Sequence, residues 1–134
     1  MKSQNVARTT ALIRLRGNRY RIEERWNQYA GEHGRREDMW GIIDLIEYIP
    51  GVGAHGIQVC GSDYAAHWRK ITEEHRDDTI YWLSIPNTKL FIYAWRRLKY
   101  KRGSKAVRWT PRIVEVLYSD GEFYEVEHEQ IKLS

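Results

Sequence analysis

The run of residues 39–49, MWGIIDLIEYI, restricts the folds open to this chain more than any other segment. Apolar residues occupy nearly every position and short β-branched stretches dominate, a pattern that is typical of a strand buried on both faces. The glycine-containing connection 50–56 follows, and the short apolar run 57–60 comes directly after it. The sequence therefore predicts a β-hairpin built from these two runs.

The rest of the chain alternates between helical and extended patterns, without a repeat, a low-complexity tract or a linker. Leu12, Ile13 and Leu15 are spaced as in a helix that Gly17 and Asn18 end. The expected class is α/β or α+β with a mixed sheet. The predicted elements outside the hairpin are helices over 4–15 and 63–75, the second capped by Ser62, strands over 19–26, 89–95 and 112–118, a turn over 119–121, and a last strand or helical piece over 122–131.

Length and composition indicate one globular domain over residues 1–134. The chain has 42% hydrophobic and 30% charged residues, which excludes a largely disordered protein, and its 134 residues are too few for two ordinary domains. A single cysteine, Cys60, excludes an intramolecular disulfide scaffold and a cysteine-rich zinc cluster. Charged residues interrupt every apolar run well short of the roughly 18 residues that span a bilayer, and arginines stand where a signal peptide would be apolar. We expect an unexported, cytoplasmic protein with no membrane association.

Basic residues concentrate in the stretch 95–112, and acidic residues dominate the C-terminal segment 113–134. The basic stretch contains no acid, so its charges repel one another unless an anion relieves them, and nucleic acid is the expected anion. An ordinary solvated face is the alternative. Trp95, Tyr100 and Trp109 lie in the same stretch and either stack on unpaired bases or belong to the core. The predicted nucleic-acid-binding residues are Arg96, Arg97, Lys99, Lys101, Arg102, Lys105, Arg108 and Arg112.

Three other patterns carry no functional prediction. The string G-x-G-x-x-G at 51–56 matches a dinucleotide fingerprint, but a strand-like run follows it, whereas the fingerprint needs a helix N-terminus to bind phosphate. Its glycines are therefore expected in a turn. The five histidines form no H-x-x-x-H pair, so no zinc site is predicted. Cys60 is expected to be a small buried hydrophobic residue rather than a nucleophile.

Asp44 lies inside the apolar run 42–46, where an ionised carboxylate is costly unless it is paired, hydrogen-bonded or metal-bound. An ion pair with an arginine such as Arg36 is one way to satisfy it. A metal site is the other interpretation, because the hairpin can bring the amide oxygen of Gln58 to the Asp44 carboxylate. Oxygen ligands of this kind suit Mg²⁺ or Mn²⁺ and leave places for water and a phosphate.

Short motifs cover roughly half of the chain, between Glu24 and Arg97. They are E-R-W-N at 24–27, Arg36, D-M-W-G-I-I-D-L at 38–45, G-I-Q-V-C at 56–60, W-R-K-I at 68–71 and L-F-I-Y-A-W-R-R at 90–97. Together they resemble the PD-(D/E)XK nuclease superfamily, and in particular small phage and prophage proteins related to its Holliday junction resolvases. The resemblance implies a restriction-endonuclease-like core, with a central mixed β-sheet flanked by helices, and a phage or prophage origin.

The resemblance also implies a set of site residues. In this superfamily an acid of the second strand and a Glu or Gln of the third hold the metal; Asp44 and Gln58 take those positions, with Glu24 as an additional acid. A lysine two residues after the Glu or Gln stabilises charge and helps to position the attacking water. Cys60 stands there instead and carries no cation. Either Lys70 reaches the site from the following helix and serves as the catalytic lysine, or the chain binds DNA and metal with little cleavage.

Three functional hypotheses follow. The first is a Mg²⁺- or Mn²⁺-dependent endonuclease that hydrolyses phosphodiester bonds of duplex or branched DNA. The second is a catalytically silent nucleic-acid-binding protein that keeps a nuclease-like fold, and the third is an RNA-binding module that uses the basic stretch. A homodimer is expected by analogy with resolvases. If all eight basic residues contact phosphates, the slope of log affinity against log salt approaches roughly −7.

Overall fold

The computed structural model describes residues 4–29, 31–103 and 105–128. In these ranges the chain forms three α-helices, one π-helical segment and eight strands. No helix within them combines the length and apolar character that crossing a lipid bilayer requires. The elements are α1 (Gln4–Leu15), β1 (Arg19–Ile22), β2 (Arg25–Asn27), β3 (Arg35–Glu37), β4 (Leu45–Ile49), β5 (Gly53–Cys60), α2 (Tyr64–Arg69), the π-helical segment (Lys70–Glu74), α3 (Arg76–Ser84), β6 (Thr88–Lys99), β7 (Val107–Ser119) and β8 (Glu122–His128).

Six strands form one mixed sheet in the order β1-β4-β5-β6-β7-β8. The β5–β6 pair is parallel and the other neighbours are antiparallel. A parallel pair requires a crossover, and α2, the π-helical segment and α3 provide it. Strands β2 and β3 form a separate two-stranded sheet. The predicted α/β class with a mixed sheet is confirmed, and so is the β4–β5 hairpin.

Helices cover both faces of the sheet. On one face, Val6 and Ile13 of α1 pack with Leu45, Ile57 and other side chains of the central strands. On the other face, Ile71 and Trp82 of the helical crossover pack with a second cluster of strand residues. Because strand side chains alternate between faces, Gln58 and Cys60 lie on the crossover face whereas Ile57 and Val59 lie on the α1 face. Helix α1 has the predicted bounds, and Gly17 follows it with a φ of 79°.

The prediction of one strand over 39–49 is wrong, because only 45–49 is extended. Trp40 and Gly41 have positive φ angles of 57° and 74°, which cannot continue a strand, and Met39 forms an isolated bridge with Ile43. A Cβ on Gly41 would lie 2.4 Å from the His75 ring, so the turn packs closely against the helical crossover. Residues 38–44 therefore form a turn that leads into β4.

The glycine connection 50–56 leads into β5, which begins at Gly53, so it is followed by a strand and not by a helix. Gly53 has a φ of 143°, and a Cβ there would lie 1.8 Å from the Asn87 carbonyl oxygen. The expectation of positive φ in a turn therefore holds for Gly51, with a φ of 78°, whereas Gly53 begins β5 and Gly56 lies within it.

The predicted strand 19–26 is interrupted after Ile22. The N–H groups of Glu23 and Glu24 both donate to the Asp44 carbonyl oxygen, at 2.8 Å and 2.9 Å, instead of continuing the ladder with β4. The chain then leaves the main sheet and β2 pairs with β3. The alternating pattern thus predicted the extended conformation of β1 and β2, but it wrongly joined them into one strand.

The helical crossover is longer than predicted. It extends to Ser84, past a break at His75, and Asp63 rather than Ser62 occupies the N-cap position, without a capping side-chain hydrogen bond. After the break, buried Thr79 donates to the Ile71 carbonyl at 2.7 Å and to the His75 carbonyl at 3.0 Å. This second helix was not predicted, because three charged residues at 76–78 interrupt the apolar pattern.

Strands β6 and β7 are also longer than predicted, and they absorb most of the basic stretch 95–112. The C-terminal piece is a strand, β8, over the described residues, and the predicted continuation through 129–131 lies outside them. Asp120 and Gly121 have positive φ angles, as expected for the turn between β7 and β8.

Candidate active site

The β4–β5 hairpin and the helical crossover bring four predicted site residues to one cleft. Its volume is about 220 Å³. Asp44 lies directly before β4, Gln58 lies on the crossover face of β5, Lys70 begins the π-helical segment, and Glu24 lies beyond β1. The residues that line the cleft are Glu24, Arg36, Asp38, Asp44, Gln58, Val59, His67 and Lys70.

Asp44 is a buried carboxylate that the backbone of β5 supports. Its Oδ2 accepts a 2.7 Å hydrogen bond from the Val59 N–H and a 3.1 Å bond from Gln58 Nε2. Burial raises the pKa of Asp44 to about 7, and the negative charges of Asp38 and Glu24 act in the same direction. The alternative partner Arg36 pairs with Glu24 instead, at 3.4 Å. Within the described part of the chain no arginine therefore pairs with Asp44, and the cleft has an excess of negative charge beside it.

The Gln58 side chain joins the acids to the helical crossover. Its Nε2 lies 2.8 Å from Asp38 Oδ2, 3.1 Å from the Ile42 carbonyl oxygen and 3.1 Å from Asp44 Oδ2. A carbonyl oxygen can only accept, so the Ile42 contact fixes the amide with its nitrogen toward the acids. The expectation was that the amide oxygen faces Asp44; in the structure Oε1 faces His67 and Lys70.

Lys70 reaches the cleft from the helical crossover, which was one of the two alternatives that the sequence analysis gave for this lysine. Its Nζ lies 2.8 Å from Asp38 Oδ2 and 3.3 Å from Gln58 Oε1. Burial alone would raise the pKa of Asp38, but hydrogen bonds from Lys70 and Gln58, together with the Lys70 charge, hold the pKa below its ordinary value. Asp38 is thus an ionised acid that holds the Lys70 ammonium in the cleft.

Sequence reasoning gave no role to Asp38 or His67. Asp38 approaches Gln58 only because residues 38–44 turn, and that segment has the composition of a buried strand. His67 lies 3.0 Å from Gln58 through Nδ1, but a single histidine on a helix carries no recognisable spacing. Neither residue had a sequence signal that would have found it.

The cleft has donors of the type that a hard divalent cation takes, although among the described residues its three carboxylates do not already lie together as one ligand group. Three carboxylates, those of Glu24, Asp38 and Asp44, line a cleft that is open to solvent. Carboxylate oxygens are the ligands that Mg²⁺ and Mn²⁺ prefer, and a cation offsets the cost of an ionised buried acid. Gln58 can contribute its oxygen only after its amide rotates, because the nitrogen faces the acids.

Cys60 lies two residues after Gln58 on the same face of β5 and is 5% exposed. It packs in the core cluster with Ile42, Ile71 and other apolar side chains. Burial raises the pKa of its thiol to about 12, and the charges of Asp63 and Asp44 add to this effect. Cys60 therefore supplies no cation to the cleft, and its expected burial is confirmed.

The basic stretch forms the outer part of the β6–β7 hairpin, which we name the basic arm (95–112). Strand β5 pairs with β6 only as far as Ala94, and β8 pairs with β7 only as far as Ile113. Among residues 4–29, 31–103 and 105–128, no third strand pairs with the arm. Seven of the eight predicted nucleic-acid-binding residues are exposed on it: Arg96, Arg97, Lys99, Lys101, Arg102, Lys105 and Arg108.

The eighth residue, Arg112, lies at the base of the arm and is held by protein groups. It forms ion pairs with Glu127 and, at 3.8 Å, with Glu125 of β8. Its guanidinium also lies 4.2 Å from the centre of the Tyr64 ring. The acidic C-terminal segment thus neutralises Arg112, which leaves seven basic residues for an external anion.

The three aromatic residues of the stretch differ in their environment. Trp95 is 6% exposed and donates a 2.8 Å hydrogen bond to Thr9 Oγ1 of α1, so it belongs to the core. Trp109 and Tyr100 are exposed, and guanidinium groups cover their rings; Arg8 lies 3.8 Å from the Trp109 ring centre. Base stacking is therefore restricted to these two rings and requires the arginines to move aside.

The two faces of the basic arm carry different basic residues. Gln58 is paired with Ile92, so alternation along β6 places Arg96 on the cleft face of the sheet. Leu98 shares that face and pairs with Arg108. Arg97 and Lys99 lie on the opposite face, where α1 packs. Nucleic acid that crosses the cleft would therefore meet Arg96 and Arg108 before Arg97 and Lys99.

No protein-family model, no curated protein and no solved structure matches this chain. The mixed sheet, the acidic cleft with its lysine and the basic arm are thus the features from which a function is inferred.

Proposed function

We propose that this chain is a Mg²⁺- or Mn²⁺-dependent DNA endonuclease with a restriction-endonuclease-like core. The contact of Lys70 with Asp38 is the observation that carries the proposal, because it places a cation in a cleft that three carboxylates line. Hydrolysis of a phosphodiester needs both the carboxylates and the lysine. The carboxylates hold a metal, and the lysine ammonium offsets the negative charge that grows on the phosphate.

The topology supports the same proposal. Counted from the edge, the sheet begins with β1, β4 and β5, so Asp44 directly precedes the second strand and Gln58 lies on the third. The resemblance to the PD-(D/E)XK superfamily implies an acid on the second strand and a Glu or Gln on the third; Gln58 has that position, and Asp44 lies one residue before the second strand. The parallel β5–β6 pair has its helical crossover on the cleft face, and this is how a lysine from a helix comes to lie beside strand residues.

The residues of the cleft have separable roles in such a reaction. Asp44, Glu24 and Asp38 would hold the divalent ion, which supplies a Lewis acid and a hydroxide source near neutral pH. Lys70 would stabilise charge on the scissile phosphate, because its ammonium faces the same cleft as the acids. Gln58 would orient Asp44 and Lys70 by hydrogen bonds to both.

The basic arm would hold the DNA backbone beside this cleft. Lysine and arginine contacts to phosphate position a duplex without reading its sequence, which fits seven exposed basic residues and no recognisable base-reading motif. A two-stranded ribbon also has dimensions that fit the major groove. Homodimerisation and a preference for branched DNA stay predictions that rest on the resemblance.

A catalytically silent DNA-binding protein is the second candidate, and one contact favours it. Lys70 already forms a 2.8 Å ion pair with Asp38, so part of its charge is used within the protein. The absence of a lysine at Cys60 points in the same direction.

Cleavage of labelled duplex, single-stranded and four-way-junction DNA in Mn²⁺ separates the two candidates. The nuclease proposal expects cutting that EDTA abolishes and that Asp44→Asn removes, with DNA affinity retained. DNA binding without cutting would establish the silent protein. Cutting that survives in Asp44→Asn would overturn the assigned site, and tight binding to RNA but not to DNA would favour the RNA-binding module.

A further inference from the structure

We propose that Cys60, Asp63 and His67 form a zinc site beside the oxygen-donor cleft, with His67 lining both. The ligand atoms of the three side chains, one sulfur, one carboxylate oxygen and one imidazole nitrogen, all lie within 4.8 Å of one another. Cys60 ends β5, Asp63 precedes α2, and His67 follows one helical turn later. The short connection between strand and helix therefore gathers three ligands of three chemical types.

The donor chemistry selects zinc over the ion proposed for the cleft. Thiolate and imidazole are ligands that Zn²⁺ accepts and that Mg²⁺ avoids. Three protein ligands with a fourth position left for water is a common arrangement at zinc sites that are accessible to solvent. The Asp63 side chain is 59% exposed, so the cluster opens to solvent on its side. Cys60 is buried and its thiol forms no disulfide.

The histidine has the supporting contact that zinc ligands usually show. Its Nε2 lies 3.1 Å from Asp63 Oδ2, on the side of the cluster, and its Nδ1 lies 3.0 Å from Gln58 Oε1. With zinc on Nε2, the ring proton is on Nδ1 and is donated to Gln58, which fixes the tautomer and the ring orientation. The Gln58 amide connects this cluster to Asp44, so zinc would hold the amide nitrogen toward the acids.

Titration with Co²⁺, a spectroscopic substitute for zinc, tests the site without DNA and without activity. We expect the thiolate-to-cobalt charge-transfer absorption, which only a cysteine ligand produces, to saturate at about one equivalent of bound Co²⁺ per chain, and Zn²⁺ to remove it. Cys60→Ser should remove that absorption. Asp63→Asn, at an exposed position where folding is not at risk, should weaken Co²⁺ binding by more than about tenfold, the lower limit for loss of a supporting contact.

Two matched controls keep this inference distinct from the nuclease proposal. Asp44→Asn removes an acid of the cleft and His128→Asn removes a histidine that pairs with Glu115 of β7, and both should keep the charge-transfer absorption. Wild-type protein without that absorption would overturn the zinc site whatever the DNA assay shows. Absorption that persists unchanged in Asp63→Asn and in His67→Gln would also overturn it, because the thiol would then bind metal alone.

Discussion

The Lys70 ammonium lies 2.8 Å from Asp38 Oδ2, across a gap of 32 residues in the sequence. This contact brings the helical crossover to the turn that precedes β4, and it places a positive charge 3.3 Å from Gln58 Oε1 and near enough to Asp44 to act on its pKa. Under the proposed function, this lysine of the helical crossover would supply the positive charge that Cys60 cannot supply.

Replacement of this lysine by methionine should abolish DNA cleavage but not DNA binding. Loss of a group that stabilises charge in a transition state reduces turnover by about 10²–10³-fold. Lys89→Met is the matched control, because Lys89 makes its 3.9 Å ion pair with Glu115, a residue outside the cleft. Single-turnover cleavage in Mn²⁺ measures both variants, and melting temperatures show whether each folds. Equal rates for the two variants would exclude Lys70 from the reaction.

Asp44 should make both stability and metal binding depend on pH. Its pKa is about 7 in the folded chain and 3.8 in the unfolded one, so the folded protein keeps a proton that the unfolded chain releases between these values. The contribution of Asp44 to stability therefore decreases as pH rises through this window. Asp44→Asn should flatten that part of the stability profile, measured by urea denaturation across the window.

Metal binding at the cleft should show the opposite dependence on pH. A cation binds the ionised acid, so Mn²⁺ affinity should fall about tenfold per pH unit below about pH 7 and level off above it. Mn²⁺-dependent shifts in melting temperature at several pH values measure this effect. A shift that is independent of pH, or that persists in Asp44→Asn, would place the ion elsewhere.

The two faces of the basic arm should contribute unequally to DNA affinity. Arg96→Gln with Arg108→Gln removes two charges from the cleft face, and Arg97→Gln with Lys99→Gln removes two from the α1 face. The first pair should weaken duplex binding more and reduce the slope of log affinity against log salt by about 2. The unaltered protein, with Arg112 held by β8, should have a slope no steeper than roughly −6. Equal losses in the two double variants would mean that DNA does not lie across the cleft face.

Thr9 should stabilise the attachment of α1 to the sheet. Its Oγ1 accepts the Trp95 Nε1–H bond in the core, so Thr9→Val leaves that N–H unpaired at a cost of about 1–3 kcal/mol. Thr10→Val is the matched control, since Thr10 is equally buried but only donates to the Ala7 carbonyl within the helix, and it should cost less than about 1 kcal/mol. Urea midpoints at constant m-value give both numbers. A larger loss in Thr10→Val would show that the Trp95 contact contributes little.

The sequence predicted those parts of the fold that depend on local patterns. Helix α1 ends where a glycine and an asparagine follow an apolar stripe, and the β4–β5 hairpin follows two apolar runs around a glycine turn. The turn at 38–44 escaped prediction because its residues are as apolar as a strand, and only the folded chain shows that Gly41 packs closely against His75. That contact comes from the helical crossover and cannot be seen in local sequence.

In the candidate site, too, local patterns predicted some contacts, and the tertiary fold determines the others. The approach of Asp44 and Gln58 follows from the pairing of adjacent strands, and it was expected from the alternation of side chains. The orientation of the Gln58 amide depends on Asp38 and the Ile42 carbonyl, which the turn supplies. Arg112 was grouped with free cations because its acidic partners on β8 are near it only in the folded sheet.

The π-helical segment begins at Lys70, whose carbonyl accepts a 2.9 Å bond from the His75 N–H five residues later. A π turn holds more residues than an α turn, so α2 and α3 differ in rotational phase from one uninterrupted helix. Deletion of one residue between 71 and 74 would restore that phase and, if α3 kept its packing through Trp82, would turn Lys70 away by about 100°. The strands would keep both Asp44 and Gln58 in place. The position of the Lys70 ammonium thus depends on the number of residues in the helical crossover. The positions of Asp44 and Gln58 depend instead on how β4 pairs with β5.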